Sequence, residues 1–209
     1  MNITEQLTHP SKSFLIVEKR EGSDIVIGAP HHAPAGVDTL PCGRDADENT
    51  GYLAYYLSEK LRATCVIAVN GKVDPNKSPG TNYSKAIRAR CPGLLVEIHG
   101  HGGKRARADV EVSAGSRKKE HHAKRLVNSL REYLLRNDNI NDLSVSGTWD
   151  FIYFKASRTA TITGNDWLGL HIELPPLLRL QGGTKQPPVE GYLFCEALAK
   201  ALEEFWYIR

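Results

Sequence analysis

The chain alternates between short apolar runs and longer segments whose apolar residues recur at helical spacing. Short apolar runs bounded by turn residues are typical of strands, and here they cover residues 13–20, 24–32, 63–70, 94–99, 108–115, 149–154, 159–163 and 168–174. Helical spacing predicts helices over residues 49–61, 82–91 and 116–137 and from Val189 to about Trp206. Helices and strands therefore interleave through the first two thirds of the chain, and several strands follow one another in the last third.

This order of elements favours a three-layer α/β/α sandwich with a mixed central sheet. We see no internal repeat or linker, so we expect a single domain over residues 1–209. The four cysteines are widely spaced without a CxxC pair, which argues against a disulfide framework. No apolar run approaches the ~20 residues of a membrane helix. The N-terminus lacks the pattern of a secretory signal, so we expect a cytoplasmic protein.

Basic residues cluster at positions 104–109 and 116–125, and we call residues 104–125 the basic segment. The net charge of +3 is small for a general nucleic-acid-binding protein. The clusters are typical of a solvated loop and the exposed start of a helix, and they also fit a rim that attracts anionic substrates. A non-catalytic protein that binds nucleic acid or an acidic partner through the basic segment is one alternative function.

Polar residues gather where three predicted strands end, and in open α/β sheets ligands bind at the carboxyl ends of strands. These strand ends carry histidines and glutamates, namely His31, His32, Glu97, His99, His101, His171 and Glu173. An acidic segment with Asp45, Asp47 and Glu48 follows the first strand end and precedes a helix. Taken singly, each feature has a structural explanation, such as a hydrogen-bonded histidine or acidic residues at a helix N-terminus. Together they supply three ligands for Zn²⁺, an open position for water and a further glutamate as general base, which is the set that metal-assisted hydrolysis needs.

The order of these short motifs resembles the N-formylglutamate amidohydrolase family and, more distantly, the zinc carboxypeptidases, over residues 26–175. Small phage-type poly-γ-glutamate hydrolases of the same superfamily are also similar. The resemblance implies a zinc carboxypeptidase-like (phosphorylase/hydrolase-like) fold with one Zn²⁺ per chain. It also implies a hydrolase that cleaves the amide bond of an N-acyl amino acid bearing a carboxylate, as in N-formylglutamate. The alternative is a carboxypeptidase-like or poly-γ-glutamate-type peptide hydrolase.

The resemblance assigns two histidines and one carboxylate to the metal. APHH resembles the family's first histidine motif and makes His31 a ligand, with His32 as the alternative. EIHG resembles the family's Asp-x-His-Ser motif and makes His99 another ligand. Glu48 falls at the position of the acidic ligand.

Glu48 lies much farther from His31 along the chain than the corresponding glutamate does in zinc carboxypeptidases. Asp45 or Asp47 therefore stays open as the acidic ligand.

The resemblance also assigns residues to the substrate and to proton transfer. DPNK resembles Asp-x-Asn-Arg, the segment that holds the substrate carboxylate in the relatives, and indicates Asn76 and Lys77. Lys77 replaces the family's arginine, so a point charge replaces a bidentate fork. HIEL resembles the strand that bears the general base and indicates Glu173. We expect Arg44 to stabilise the oxyanion together with the metal, and His101 to orient a ligand or contact the substrate.

Overall fold

The computed structural model describes residues 1–207 and contains one mixed sheet of eight strands. The strands are β1 (Phe14–Glu18), β2 (Ile25–Ala33), β3 (Asp47–Glu48), β4 (Thr64–Val69), β5 (Leu94–Gly100), β6 (Val110–Ser113), β7 (Val145–Ser146) and β8 (Leu168–Leu174). Their order across the sheet is β1-β4-β2-β5-β8-β6-β7, and β3 pairs with β2. Strands β4, β2, β5 and β8 run parallel, whereas β1 and β6 are antiparallel to their neighbours β4 and β8.

Helices cover both faces of this sheet. They are α1 (Ile3–Leu7), α2 (Thr50–Lys60), α3 (Asn82–Arg88), α4 (Glu120–Leu134), α5 (Pro176–Arg179) and α6 (Val189–Tyr207), and a 3₁₀ turn covers Arg117–Lys119. Helices α2, α4 and α6 pack in the core that contains Ile25 and Ile27 of β2, whereas α3 packs on the other face, against Val26. The predicted α/β sandwich with a mixed sheet is confirmed. Within residues 1–207, no helix is both long and apolar enough to cross a membrane.

The parallel strands at the centre of the sheet place their carboxyl ends at one edge. In the β5–β8 pair, Glu97 lies opposite His171 and His99 lies opposite Glu173. Leu95 of β5 packs in the same core as α3, and alternate residues of a strand share a face. Glu97 and His99 therefore lie on the α3 face of the sheet, close to the paired residues of β8.

Two of the predicted strands are wrong. Residues 149–154 and 159–163 form turns and loops. In the first segment, two backbone N–H groups donate to the buried Glu111 carboxylate at 2.8 Å, so a side chain takes the place of a neighbouring strand. In the second segment, the N–H of Ile162 donates to the carbonyl of Thr159, which closes a turn. A long-range polar contact therefore overrides the apolar pattern of the first segment, and a local turn overrides that of the second.

Candidate metal centre

The two histidines at the end of β2 have different surroundings. The register of β2 against β4 shifts between Ala29 and His32, which marks an irregularity at this end of the strand. His31 is buried, and its Nε2 lies 2.9 Å from Oδ1 of Asp74. His32 Nε2 instead lies 3.1 Å from the carbonyl oxygen of Leu7, and burial lowers the pKa of His32 to about 4. His31 therefore contacts the acidic residues, whereas His32 is a core residue that stays neutral.

A single carboxylate lies between His31 and His99. Oδ2 of Asp47 is 3.0 Å from Nδ1 of His99 and 3.5 Å from Nδ1 of His31. One ligand atom from each of these three side chains lies within 4.8 Å of the other two, and all three side chains are buried. Two imidazoles and a carboxylate on three different strands form a group that could hold one metal ion.

The acidic segment brings Asp47, not Glu48, to the histidines. Strand β3 pairs with β2, and Asp47 lies opposite His32. Neighbouring residues of a strand point to opposite sides, so only one of the two carboxylates can face the histidines. Oε1 of Glu48 accepts a hydrogen bond from the backbone N–H of Gly36 at 2.6 Å, and Asp45 is exposed. Of the acidic residues left open by the sequence, the structure thus places Asp47 against the two histidines and Glu48 away from them.

The group combines buried charges of opposite sign. Burial alone would lower the pKa of His99, but its close contacts with the carboxylates of Asp47 and Glu97 outweigh it and raise that pKa to about 10. Burial also acts against His31, yet contacts with Asp47 and Asp74 raise its pKa. Burial would raise the pKa of Asp47, but both histidines hold it below the usual range. The negatively charged Asp47 carboxylate therefore lies between two imidazole rings with raised pKa values. Such a site favours the binding of a cation.

Outer carboxylates support both histidine rings. Asp74 contacts Nε2 of His31, and Oε2 of Glu97 lies 3.5 Å from Nε2 of His99. Each ring thus has a carboxylate on the nitrogen that does not face Asp47, as is usual for metal-ligating histidines. Oε2 of Glu97 and Nε2 of His99 are buried without a hydrogen-bond partner among residues 1–207. The donor set and its supports fit Zn²⁺ with an open coordination position.

A second group of potential ligands consists of Glu97, His99 and His171, and it shares His99 with the first group. Glu97 is fully buried, and its Oε1 accepts a hydrogen bond from the Tyr83 hydroxyl at 2.9 Å. Among residues 1–207, all members of the first group line the large cleft over the strand ends, whereas Glu97 does not. Because a substrate would have to reach a bound metal, the first group is the better candidate for a metal site, with Glu97 as an outer support for His99.

Glu173 lies beside this group at the end of β8. Its Oε1 lies 2.9 Å from Nε2 of His171, whose ring centroid is 4.0 Å from that of His99. Oε2 of Glu173 is buried and has no hydrogen-bond partner in the described part of the chain. One carboxylate oxygen is thus held while the other can take a proton. His171 has no predicted role in the sequence, although its place two residues before Glu173 puts both side chains on one face of β8.

A cleft of about 790 Å³ opens over these side chains. Its wall carries cationic side chains, namely Arg44, Lys77, Lys104, Arg105 and Lys155. Of the residues expected to bind substrate or oxyanion, Arg44, Asn76 and Lys77 all line this cleft. Nε of Arg44 lies 3.3 Å from Oδ2 of Asp74, and the Arg44 side chain is half exposed. The cleft therefore combines a buried acidic centre with a positively charged rim.

His101 also lines the cleft, but both of its ring nitrogens contact the protein. Nε2 donates to the carbonyl of Asp109 at 2.8 Å, and Nδ1 accepts from the N–H of Gly103 at 3.0 Å. The ring stacks on Phe154 with centroids 5.6 Å apart. A substrate contact of His101 would therefore use its ring edge or face rather than a free nitrogen.

The basic segment does not form one continuous cationic surface. Lys104 and Arg105 lie on the wall of the cleft. Arg117 forms an ion pair with Asp150, and Lys124 pairs within its own helix, α4, at 2.9 Å from Glu120. Within the basic segment, Lys104 and Arg105 therefore contribute their positive charge to the rim of the cleft.

The chain shares its fold with solved structures of amide-cleaving enzymes. It matches a bacteriophage poly-gamma-glutamate hydrolase with a TM-score of 0.58 and 13% identity, over 97% of this chain and 93% of that chain. It matches the N-formylglutamate amidohydrolase from Ralstonia eutropha JMP134 with a TM-score of 0.61 and 15% identity, over 93% of this chain and 98% of that chain. An N-acetylmuramoyl-L-alanine amidase from Clostridium difficile 630 gives a TM-score of 0.51 and 13% identity, over 88% and 96% of the two chains.

Because the sequence identities are low, these structural similarities establish the fold of the chain and nothing finer. No protein-family model matches the sequence, and no curated protein matches it. The fold class is therefore that of the N-formylglutamate amidohydrolase-like α/β sandwich, which confirms the resemblance drawn from the short motifs at the level of the fold.

Proposed function

We propose that the protein is a metal-dependent hydrolase that cleaves an amide bond. The observation that carries this proposal is the meeting of His31, Asp47, His99 and Glu173 at the base of one cleft. Three ligands beside a separate carboxylate base are the requirement of metal-assisted hydrolysis. The structural neighbours are, by name, a hydrolase, an amidohydrolase and an amidase, which supports the same class of reaction.

In the proposed mechanism, Glu173 is the general base. A bound zinc ion would supply the positive charge that polarises the substrate carbonyl and acidifies water. His171 holds Oε1 of Glu173, so Oε2 would accept the proton of the attacking water and deliver it to the leaving amine. Arg44 lies on the cleft wall, where its guanidinium would face the developing oxyanion.

The proposed substrate is an N-acyl amino acid that bears a carboxylate, of the N-formylglutamate type. Asn76 and Lys77 line the cleft beside the acidic centre, and Lys77 is exposed. An amide and an ammonium group would bind a carboxylate by hydrogen bonds and charge. Because Lys77 offers a point charge and not a bidentate fork, it would bind a carboxylate in more than one orientation.

A γ-linked glutamyl peptide is the second candidate substrate. Several cationic side chains, among them Arg44 and Lys155, line the cleft, and its volume of about 790 Å³ exceeds the need of a single amino acid. A chain with several carboxylates would use this rim more fully than a substrate with one or two. The bacteriophage protein with the same fold acts, by name, on poly-gamma-glutamate.

Metal analysis and a substrate screen test the proposal. Protein purified without a histidine tag should contain about one zinc ion per chain, and it should hydrolyse N-formyl, N-acetyl or γ-linked glutamate. Protein without zinc and without a zinc-dependent thermal shift would contradict the metal centre. Zinc-loaded protein that cleaves none of these amides would contradict the reaction. Salt-sensitive nucleic-acid binding that survives His99→Ala would favour the alternative function of the basic segment.

A further inference from the structure

Arg179, at the end of α5, is buried in the wall of the cleft with only 4% of its surface exposed. Its guanidinium donates to three backbone carbonyls on three different segments. Nε donates to Leu174 at 3.2 Å, Nη1 to Glu48 at 2.9 Å and Nη2 to His101 at 3.1 Å. A buried guanidinium that contacts carbonyls in this way joins segments far apart in the sequence.

Each of these carbonyls lies one or two residues from a side chain of the proposed site. Glu48 directly follows Asp47 in the sequence, and Leu174 directly follows Glu173. His101 comes two residues after His99. The backbone position of each site residue is thus tied to the same planar group. A planar fork with donors at fixed angles holds such carbonyls in one relative arrangement.

The surrounding residues fix the position of Arg179 itself. A methyl group at Gly100 would overlap the guanidinium, whose Cζ, Nε and Nη1 are its nearest atoms. The guanidinium therefore lies directly against the backbone of β5. Nδ2 of Asn49 donates to the carbonyl of Arg179 at 2.9 Å, which ties the backbone of α5 to the start of α2.

We propose that Arg179 is a positioning residue that holds β3, β5 and β8 in the arrangement that brings Asp47, His99 and Glu173 together. The inference rests on the proposed function in one respect, namely that these side chains form a metal centre. Arg179 acts through the backbone and not by contact with the metal or the substrate. Its loss would displace the ligands relative to one another, and so weaken metal binding beyond any loss of stability.

Two substitutions at Arg179 and a control elsewhere test this inference. Arg179→Lys keeps the charge without the fork, and Arg179→Met removes both. We expect each variant to lower zinc affinity at least about tenfold, as loss of outer contacts does in known zinc sites, and to alter the visible spectrum of bound Co²⁺. Arg20→Met is the matched control, because Nη1 of Arg20 also donates to a backbone carbonyl, that of Ala63, away from the cleft. It should lower stability alone.

Gly100→Ala provides an independent test without touching the arginine. Gly100 does not have the left-handed φ that would strain an alanine, so its methyl group would act mainly by displacing the guanidinium. We expect about a tenfold loss of zinc affinity in the wild-type background and less than about a twofold further loss in Arg179→Met. Folded Arg179→Met and Gly100→Ala proteins with wild-type zinc affinity and Co²⁺ spectrum would overturn the inference.

A failure of the proposed function can be distinguished from a failure of the positioning role of Arg179. If the wild-type protein bound no metal, the metal centre would be refuted, and the ring-nitrogen NMR signals of His31 and His99 would then test Arg179. Arg179→Met should shift both signals, because it loosens the contacts of the rings with Asp47, whereas Arg20→Met should leave them in place. Unchanged signals in folded Arg179→Met would contradict the positioning role.

Discussion

His99 and Glu173 occupy paired positions on the neighbouring parallel strands β5 and β8. This register places a ring that faces Asp47 next to a carboxylate that is held by His171. The proposed ligand and the proposed base are therefore fixed by the sheet, which is a rigid element, and not by a loop. Their functions can be separated experimentally because they contact different partners.

Replacing Glu173 by glutamine should abolish hydrolysis and leave the zinc in place. The amide keeps the shape of the carboxylate and can still contact His171, but it cannot accept a proton. Loss of a general base reduces the rate by about a hundredfold to ten-thousandfold. Activity and zinc content should be measured on the same preparation. Glu173→Gln that has lost its zinc would show that Glu173 is a ligand and that the base lies elsewhere.

Substitutions of the adjacent carboxylates Asp47 and Glu48 test which of the two is the acidic ligand. Asp47→Asn should reduce zinc affinity by more than about a hundredfold, because it removes the charge between two histidines. Glu48→Gln should leave zinc affinity close to that of the wild type, since its oxygen can still accept the hydrogen bond from Gly36. Competition with a chelator measures both. The reverse result would restore Glu48 as the ligand.

The contrast between Asp47 and Glu48 shows how far the sequence could predict the site. Apolar strands that end in polar residues predicted that these side chains meet at one edge of the sheet, because parallel strands end together. The choice within the acidic segment depended on which residue of the two-residue strand β3 faces β2, and no periodicity is readable over two residues. The contacts of Arg179 could not be predicted from the sequence, since two of its three carbonyl partners lie in segments far away along the chain.

Prediction of the fold from the sequence likewise fails where a segment depends on contacts with distant residues. The strands β2, β4, β5 and β8 read as apolar runs, because both of their faces are buried. Residues 149–154 have a similar pattern, yet the buried Glu111 carboxylate accepts hydrogen bonds from two of their backbone N–H groups. A carboxylate that comes from a different strand leaves no mark in the sequence of the segment that it binds.

Gly28→Ala should destabilise the protein by disturbing Glu97, an outer support of the proposed metal centre. A methyl group at Gly28 would overlap the hydroxyl of Tyr83, which donates to Glu97. Displacing this hydroxyl leaves a buried carboxylate oxygen without its partner, and the expected loss is about 1–3 kcal/mol in the free energy of unfolding by urea. In Tyr83→Phe the hydroxyl is absent, so the same substitution should cost less. An equal cost in both backgrounds would contradict this explanation.

Zinc affinity should rise with pH, because the metal competes with protons for the histidines. The pKa of His99 is raised to about 10, so its ring is protonated near neutral pH in the metal-free protein and must release a proton to bind zinc. The pKa of His31 is also raised by its contacts with Asp47 and Asp74, so protons compete with the metal for this ring as well. We expect the affinity to increase by about tenfold or more per pH unit between roughly pH 6 and pH 8. Calorimetry in buffers of different ionisation enthalpy should count about one or two protons released.

The stability of the metal-free protein should change with pH in the opposite direction to zinc affinity, falling as the pH rises. A histidine whose pKa is raised on folding contributes stability below its ordinary pKa of about 6.5 and loses it as the pH rises toward 10. Chelated protein should therefore lose stability from about pH 6.5 upward, whereas zinc-loaded protein should not follow this trend. Urea unfolding of both forms across this range measures the difference. Parallel pH profiles of the two forms would show that the histidines do not exchange protons for the metal.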